Sequence, residues 1–274
     1  MESQWSGGRS RPPKGVALAA VPMASDNSTG AKRVPEKSES VAADGPSTDL
    51  KTQTSSPGLG EDAALALLKR PDLPAEALEA LAKNGSVLKH RKVKLALIEH
   101  PKTPRHVSLP LVRQLYTFDL MQVALTPVVP ADVKRAADEA LLNRLETITA
   151  GERLTLAHRG SGRIAEALLL DENARVAQGA LQNPRLSEPS IVRALMRPEA
   201  SAEWVEAVCR HPQWSLRREV RIALLRNEKT PAALAVEFAR RLPPPLLREV
   251  LHSSKLPASV RNPLLMQLRA REGK

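Results

Sequence analysis

Aromatic side chains are nearly missing from this chain: Trp5, Trp204, Trp214, Tyr116, Phe118 and Phe238 are all there are in 274 residues. Leu, Ala and Val carry the apolar content instead. That palette suits packed helices and argues against a sheet, whose strands favour aromatic and β-branched residues. Cysteine is represented by Cys209 alone. This excludes an internal disulfide and a thiolate zinc site, and it points to a reducing compartment. No run of about 18 apolar residues occurs, so no helix spans a membrane. Residues 15–24, "GVALAAVPMA", imitate a signal peptide poorly: the stretch is short and broken by Pro22, and it reads as no leader. Sustained period-two alternation is also lacking, so no strands are expected.

Acidic residues are outnumbered, 30 against 41 basic, for a net charge of +11. Such an excess favours polyanionic partners but says nothing of fold. It is unevenly placed. Residues 1–60 hold seven basic and six acidic side chains and three Leu, with 27 of 60 positions Ser, Thr, Gly or Pro. A segment so poor in apolar side chains cannot offset the entropy of ordering, and 1–60 is expected to be a disordered tail. Residues 61–274 carry 34 basic and 24 acidic residues and are expected to form one folded domain.

Helical pairs at i, i+3 and i+4 begin at Glu61: Leu78 with Leu81, Val192 with Leu195 and Met196, Val205 with Val208 and Cys209, Leu234 with Phe238. Between them a nonapeptide recurs. "ALIEHPKTP" (96–104) and "ALLRNEKTP" (223–231) are nearly the same, and "ALLKRPDLP" (66–74), "GALQNPRLS" (179–187), "AVCRHPQWS" (207–215) and a looser "EVLHSSKLP" (249–257) share the form. A further worn copy, "ALLNRLETIT", lies at 140–149. The form has a local physical reading. An apolar last turn is followed by Asn or His, which suits a helix end, and then by Pro, which cannot continue a helix. Thr or Ser is then expected to supply an N-cap oxygen, with Pro in the first helical position, as in Thr103-Pro104 and Thr230-Pro231. A second helix of about three turns follows each copy. Helix, tight turn, helix, repeated, describes a helical solenoid of roughly six pairs. Pro110 and Pro263 interrupt helical patterns and put the two helices containing them in question.

The combination "NPRLS…IVRALMR…CRHPQWSLRREVRIALLRNEKTPAAL" resembles bacterial HEAT-like solenoids, especially the leucine-rich repeat variant. Repeats of that family run Asn/His-Pro-x-Thr-Pro, a Leu-bearing helix, then a Val-Arg-x-Ala-Leu-Ala helix, and 173–183 and 216–227 match the last element. The resemblance is strong at 60–105 and 165–232 and weak at 106–164. It implies an all-α, right-handed solenoid over 61–274. Some members carry a cysteine-rich iron–sulfur segment; this chain has none, so no cofactor or metal is carried over.

Chemistry is sparse. His90, His100, His106, His158, His211 and His252 show no metal-ligand spacing, and His100 and His211 share one place in the repeated turn. Gly160-Ser161-Gly162 before a helix reads as a loop, with an anion-binding turn as the minor alternative. Cys209 has Val205 and Val208 a turn away and reads as core. Without a nucleophile–base–orienter set, no enzyme is expected. Basic residues cluster twice: Lys89, Arg91, Lys92 and Lys94, and Arg217, Arg218, Arg221 and Arg226. These are the candidate surface for an anionic partner, against the plainer reading of salt-bridged ridges. Trp204 is a candidate exposed anchor at an interface. The leading expectation is a non-catalytic protein-interaction scaffold in the bacterial cytoplasm. The alternative is a DNA-binding solenoid with a basic face; the resemblance extends to HEAT-like DNA glycosylases, whose carboxylate and aromatic recess cannot be picked out here. A continuous free basic face would favour nucleic acid; scattered, paired charges would favour protein.

Overall fold

The computed structural model describes residues 53–56 and 58–272. Residues 53–55 are helical, and sixteen helices follow them: α1 (Glu61–Leu68), α2 (Ala75–Lys83), α3 (Gly85–Leu88), α4 (Arg91–Glu99), α5 (Arg105–Val112), α6 (Thr117–Leu125), α7 (Ala131–Leu142), α8 (Ala150–Arg159), α9 (Gly162–Leu168), α10 (Ala174–Leu181), α11 (Glu188–Leu195), α12 (Ala202–Arg210), α13 (Arg218–Arg226), α14 (Ala232–Arg240), α15 (Pro244–His252) and α16 (Ala258–Glu272). No strand occurs among the described residues. The protein is all-α, with more helices than the six pairs expected from sequence. Most of the 1–60 segment lies outside the described residues. Within 53–60, Thr54 is fully buried, and Asn84 Nδ2 donates to the carbonyls of Thr54 (3.2 Å) and Ser56 (2.9 Å).

Most helices are only seven to twelve residues long, too short to persist alone in water. Local capping starts them and packing holds them. Helix α12 shows both. Ser201 accepts the Trp204 amide, Glu203 lies in the first turn, Arg210 in the last, and Trp204, Val205, Val208 and Cys209 form a one-sided buried stripe. Helix α8 opens with a capping box between Thr149 and Glu152. On α11 the buried pair is Ile191 with Leu195 rather than Val192 with Met196; Met196 follows the helix and is 59% exposed. Pro110 and Pro263 lie inside α5 and α16 without ending them. Both prolines are exposed, so the carbonyl each one orphans faces water.

The principal contacts join elements close in chain order. Helix α7 packs on α5, α6 and α9; α13 packs on α11, α14 and α15; α16 packs on α14 and α15. A continuous apolar core runs from Ala64 to Leu268.

The repeated nonapeptide is a packing unit. Its third position is Leu68, Ile98, Leu181, Cys209, Leu225 and Leu251, and its eighth is Leu73, Thr103, Leu186, Trp214, Thr230 and Leu256; all twelve are buried. The fifth position is a lock. Asn183 donates to the carbonyls of Ala157 (2.7 Å) and Gly160 (3.2 Å), and its side-chain oxygen accepts the Arg185 amide (2.8 Å). Asn227 likewise joins the Leu195 carbonyl to the Lys229 amide, at 2.7 and 2.8 Å. His100 bridges the Arg70 carbonyl (3.1 Å) and the Lys102 amide (3.3 Å). Its Nδ1 accepts, so Nε2 carries the proton. In the loosest copy Ser254, one place later, donates to the Leu225 carbonyl and accepts the Leu256 amide. The worn copy uses Arg144, whose guanidinium donates to the carbonyls of Leu115 (2.6 Å) and Arg113 (2.8 Å). Each lock reaches back 23 to 32 residues to the preceding turn. Buried carbonyls at helix ends need such donors.

The expected threonine N-caps are not found. Pro104 and Pro231 hold the N-cap places of α5 and α14, and neither helix has a side-chain cap. Thr103 and Thr230 stand one residue earlier and donate backward, to the carbonyls of Leu97 (2.5 Å) and Leu224 (2.6 Å). Both residues are buried, and each hydroxyl finds its acceptor in a carbonyl of the last turn of the helix just ended.

Candidate interaction surface

The two basic clusters lie on or beside α4 and α13, nine elements apart in a chain whose principal contacts are between near neighbours. Half of their members are already engaged. Arg91 grips the buried carboxylate of Asp119 through two 2.7 Å bonds and lies 5.5 Å over the Tyr116 ring. Lys94 reaches the Gln114 side chain at 3.2 Å. Arg221 donates to the Ser215 carbonyl (2.7 Å) and Arg226 to the Ser253 hydroxyl (3.0 Å). The side chains of Lys89, Lys92, Arg217 and Arg218 are exposed and make no hydrogen bond or ion pair among the described residues.

Several ion pairs span about one repeat. Arg105 meets Asp132 at 2.9 Å, Arg193 meets Glu166 at 2.8 Å, and Arg163 meets Glu139 at 3.5 Å, each across 24 to 27 residues. Arg193 beside Glu166 holds that carboxyl below its usual range, helped by the Ser190 hydroxyl. Burial of the Asp138 carboxyl pushes it the other way, although Ser161 donates to it at 2.7 Å.

Gly160-Ser161-Gly162 is a packing turn. Ser161 caps α9 and binds Asp138. A Cβ on Gly162 would collide with the Arg185 carbonyl, so this close approach requires glycine. A carboxylate and a backbone carbonyl already fill the place where the sequence allowed an anion.

Trp204 is not an exposed anchor: it is 6% exposed, and its buried indole N–H has no acceptor among the described residues. Its place on α12, four residues before Val208, puts it on the buried stripe. Trp214 is also buried, donating to the Leu181 carbonyl at 2.9 Å.

Cys209 occupies the third position of its turn, where other copies have Leu or Ile. Burial, with Glu206 nearby, pushes its thiol up to about 12. The thiolate is the reactive form, so iodoacetamide at pH 8 should leave the folded protein almost unmodified and alkylate it rapidly in urea. Equal rates in the two states, followed by mass spectrometry, would show the site to be open.

His211 holds the fifth position, and its Nδ1 accepts the amides of Gln213 and Trp214, both at 3.3 Å. Burial pushes its pKa below the ordinary value, near 6.5. Between the folded value and 6.5 the unfolded chain binds more protons. Stability from this group is therefore complete above about 6.5 and is lost as pH falls through that window. Asn serves the same position at 183 and 227 and does not titrate there. His211→Asn should thus lose less stability than the parent between pH 7.5 and 5.5 in urea titrations. Parallel losses would remove His211 from the account.

Sequence reasoning missed a concave, acidic stretch. Glu172, Glu199 and Glu203 line one 520 Å³ recess together with Leu170 and Trp204. The signal was present: Glu172 and Glu199 stand 27 residues apart, one repeat, and equivalent positions in stacked repeats become neighbours.

Comparison with family models, with curated proteins and with solved structures finds no match to this chain.

Proposed function

We propose that the helical repeat is a solenoid of the HEAT-like, leucine-rich repeat variant kind, and that it acts as a non-catalytic scaffold for protein partners in the bacterial cytoplasm. Turn locks that each reach back about one repeat support the solenoid, because such bonds need every unit stacked on the one before. The observation that carries the scaffold reading is the fate of the positive charge. Arg91, Arg105, Arg163 and Arg193 are tied to carboxylates one repeat away. These four cations are thus spent on carboxylates within the chain and withdrawn from any free basic face. Phosphate binding gains from unpaired cations that release counterions; paired ridges favour the mixed surface of a protein interface.

The second reading, a nucleic-acid-binding solenoid, rests on Lys89, Lys92, Arg217 and Arg218, which are free. Capture from native lysate with the full chain as bait, with and without nuclease, decides between them. Discrete proteins retained after nuclease at 150 mM salt, roughly physiological ionic strength, are the expected result. Loss of all capture with nuclease, or a steep loss with salt, would transfer the function to nucleic acid.

A further inference from the structure

We infer that the acidic recess beside Trp204 is the docking groove of the scaffold, and that its occupant is a basic amphipathic segment of a partner protein; this rests on the scaffold reading. Three recesses, of 520, 650 and 490 Å³, all include Leu170 in their walls and adjoin one another along α7 to α12. The floor is apolar, built on Leu170 and Trp204. The rim carries Glu146, Glu172, Glu199 and Glu203, all exposed and without an ion pair among the described residues. Of the basic side chains in these walls, Arg153 is spent on Asp171 at 2.8 Å, which leaves Arg197 as the counterweight.

Two features set this groove apart from an ordinary solvated face. The chain carries +11 overall, yet here unpaired carboxylates outnumber unpaired cations four to one. Screening confines each field to about 8 Å at physiological salt, so this groove presents its own sign to a ligand. The second feature is independent of charge: three recesses share Leu170 in their walls, so the depression is larger than any one of them and suits a peptide segment better than a small ligand. An apolar floor with an acidic rim is complementary to a helix with Leu on one face and Lys or Arg on the other.

The test uses the full chain and a fluorescent 16-residue Lys/Leu amphipathic peptide at 150 mM salt, with its Glu/Leu counterpart and a single-stranded oligonucleotide of equal length as competitors. The Lys/Leu peptide should bind, and the Trp204 indole N–H resonance, assigned through Trp204→Phe, should shift on titration. The triple change Glu172→Lys, Glu199→Lys, Glu203→Lys should weaken binding about tenfold or more, as expected for three exposed ion pairs inverted. The milder Glu→Gln triple should fall between, which controls for misfolding. Unchanged affinity in both triples, or an immobile Trp204 resonance, overturns the groove. So does binding of the Glu/Leu peptide or the oligonucleotide in preference to the Lys/Leu peptide. Nuclease-resistant lysate partners that the triples still capture would sink the groove alone; loss of those partners on nuclease would sink the scaffold itself.

Discussion

Asn183→Ala should destabilise the protein by about 3–5 kcal/mol, among the largest effects of any single polar substitution here. The residue is buried and makes three bonds: two donated to the carbonyls of Ala157 and Gly160, one accepted from the Arg185 amide. Removing the amide strands three backbone groups, each at a cost of roughly 1–3 kcal/mol, with part recovered where water enters. Asn183→Asp is the sharper test because it keeps the shape. At pH 7 a carboxylate would face two carbonyls with no proton to donate, and the loss should be at least as great. It should ease as pH falls and the acid protonates, which is opposite to the trend from His211. Urea unfolding followed by circular dichroism measures both, and an unchanged denaturant slope would confirm that the native state alone is affected. A loss below about 1 kcal/mol for Asn183→Ala would show that the turn locks follow from repeat packing rather than hold it.

Trp214→Ala should cost about 3–5 kcal/mol, in the range of other large aromatic truncations in cores. The ring is buried, stands 6.1 Å from the His211 ring, and donates its N–H to the carbonyl of Leu181 in the preceding copy of the nonapeptide. Trp214→Leu should be far milder, about 1–2 kcal/mol, the residue of lost volume and one orphaned carbonyl. The reason is in the chain itself: Leu73, Leu186 and Leu256 fill the same eighth position in other copies and are buried there. The two variants, compared by thermal and urea unfolding, test whether the nonapeptide is an interchangeable unit. Equal losses for Leu and Ala would mean that each turn has its own shape and that the repeated letters mislead.

Much of this molecule is legible in one dimension because its organising signal is local. Ala and Leu at helical spacing, Asn or His at a helix end, and Pro just beyond it are all set by contacts within a few residues. The alternation of helix and turn, the absence of strands among the described residues, and the burial of Cys209 follow directly. The Thr103 and Thr230 hydroxyls were misassigned because two nearby groups compete for them, the amides ahead and the carbonyls behind. Proline at 104 and 231 lets the next helix start without them, and burial settled the choice toward Leu97 and Leu224. Trp204 stands four residues before Val208, a spacing that puts both on one helix face, and that face is the buried one rather than an interface.

Position along the chain therefore determined that the protein is helical, where each repeat turns, and which positions of the turn face inward, since those depend on side chains within one helical turn of each other. Tertiary stacking decided what lies 23 to 32 residues away. It set which carbonyl Asn183 closes, that Arg144 takes the place of Asn in the worn copy, and that Arg91 is neutralised by Asp119. It also gathered Glu172, Glu199 and Glu203 around Leu170. Those pairings depend on repeat length and lateral register, and a one-residue change in a loop between two partners would alter their pairing while leaving the local pattern untouched.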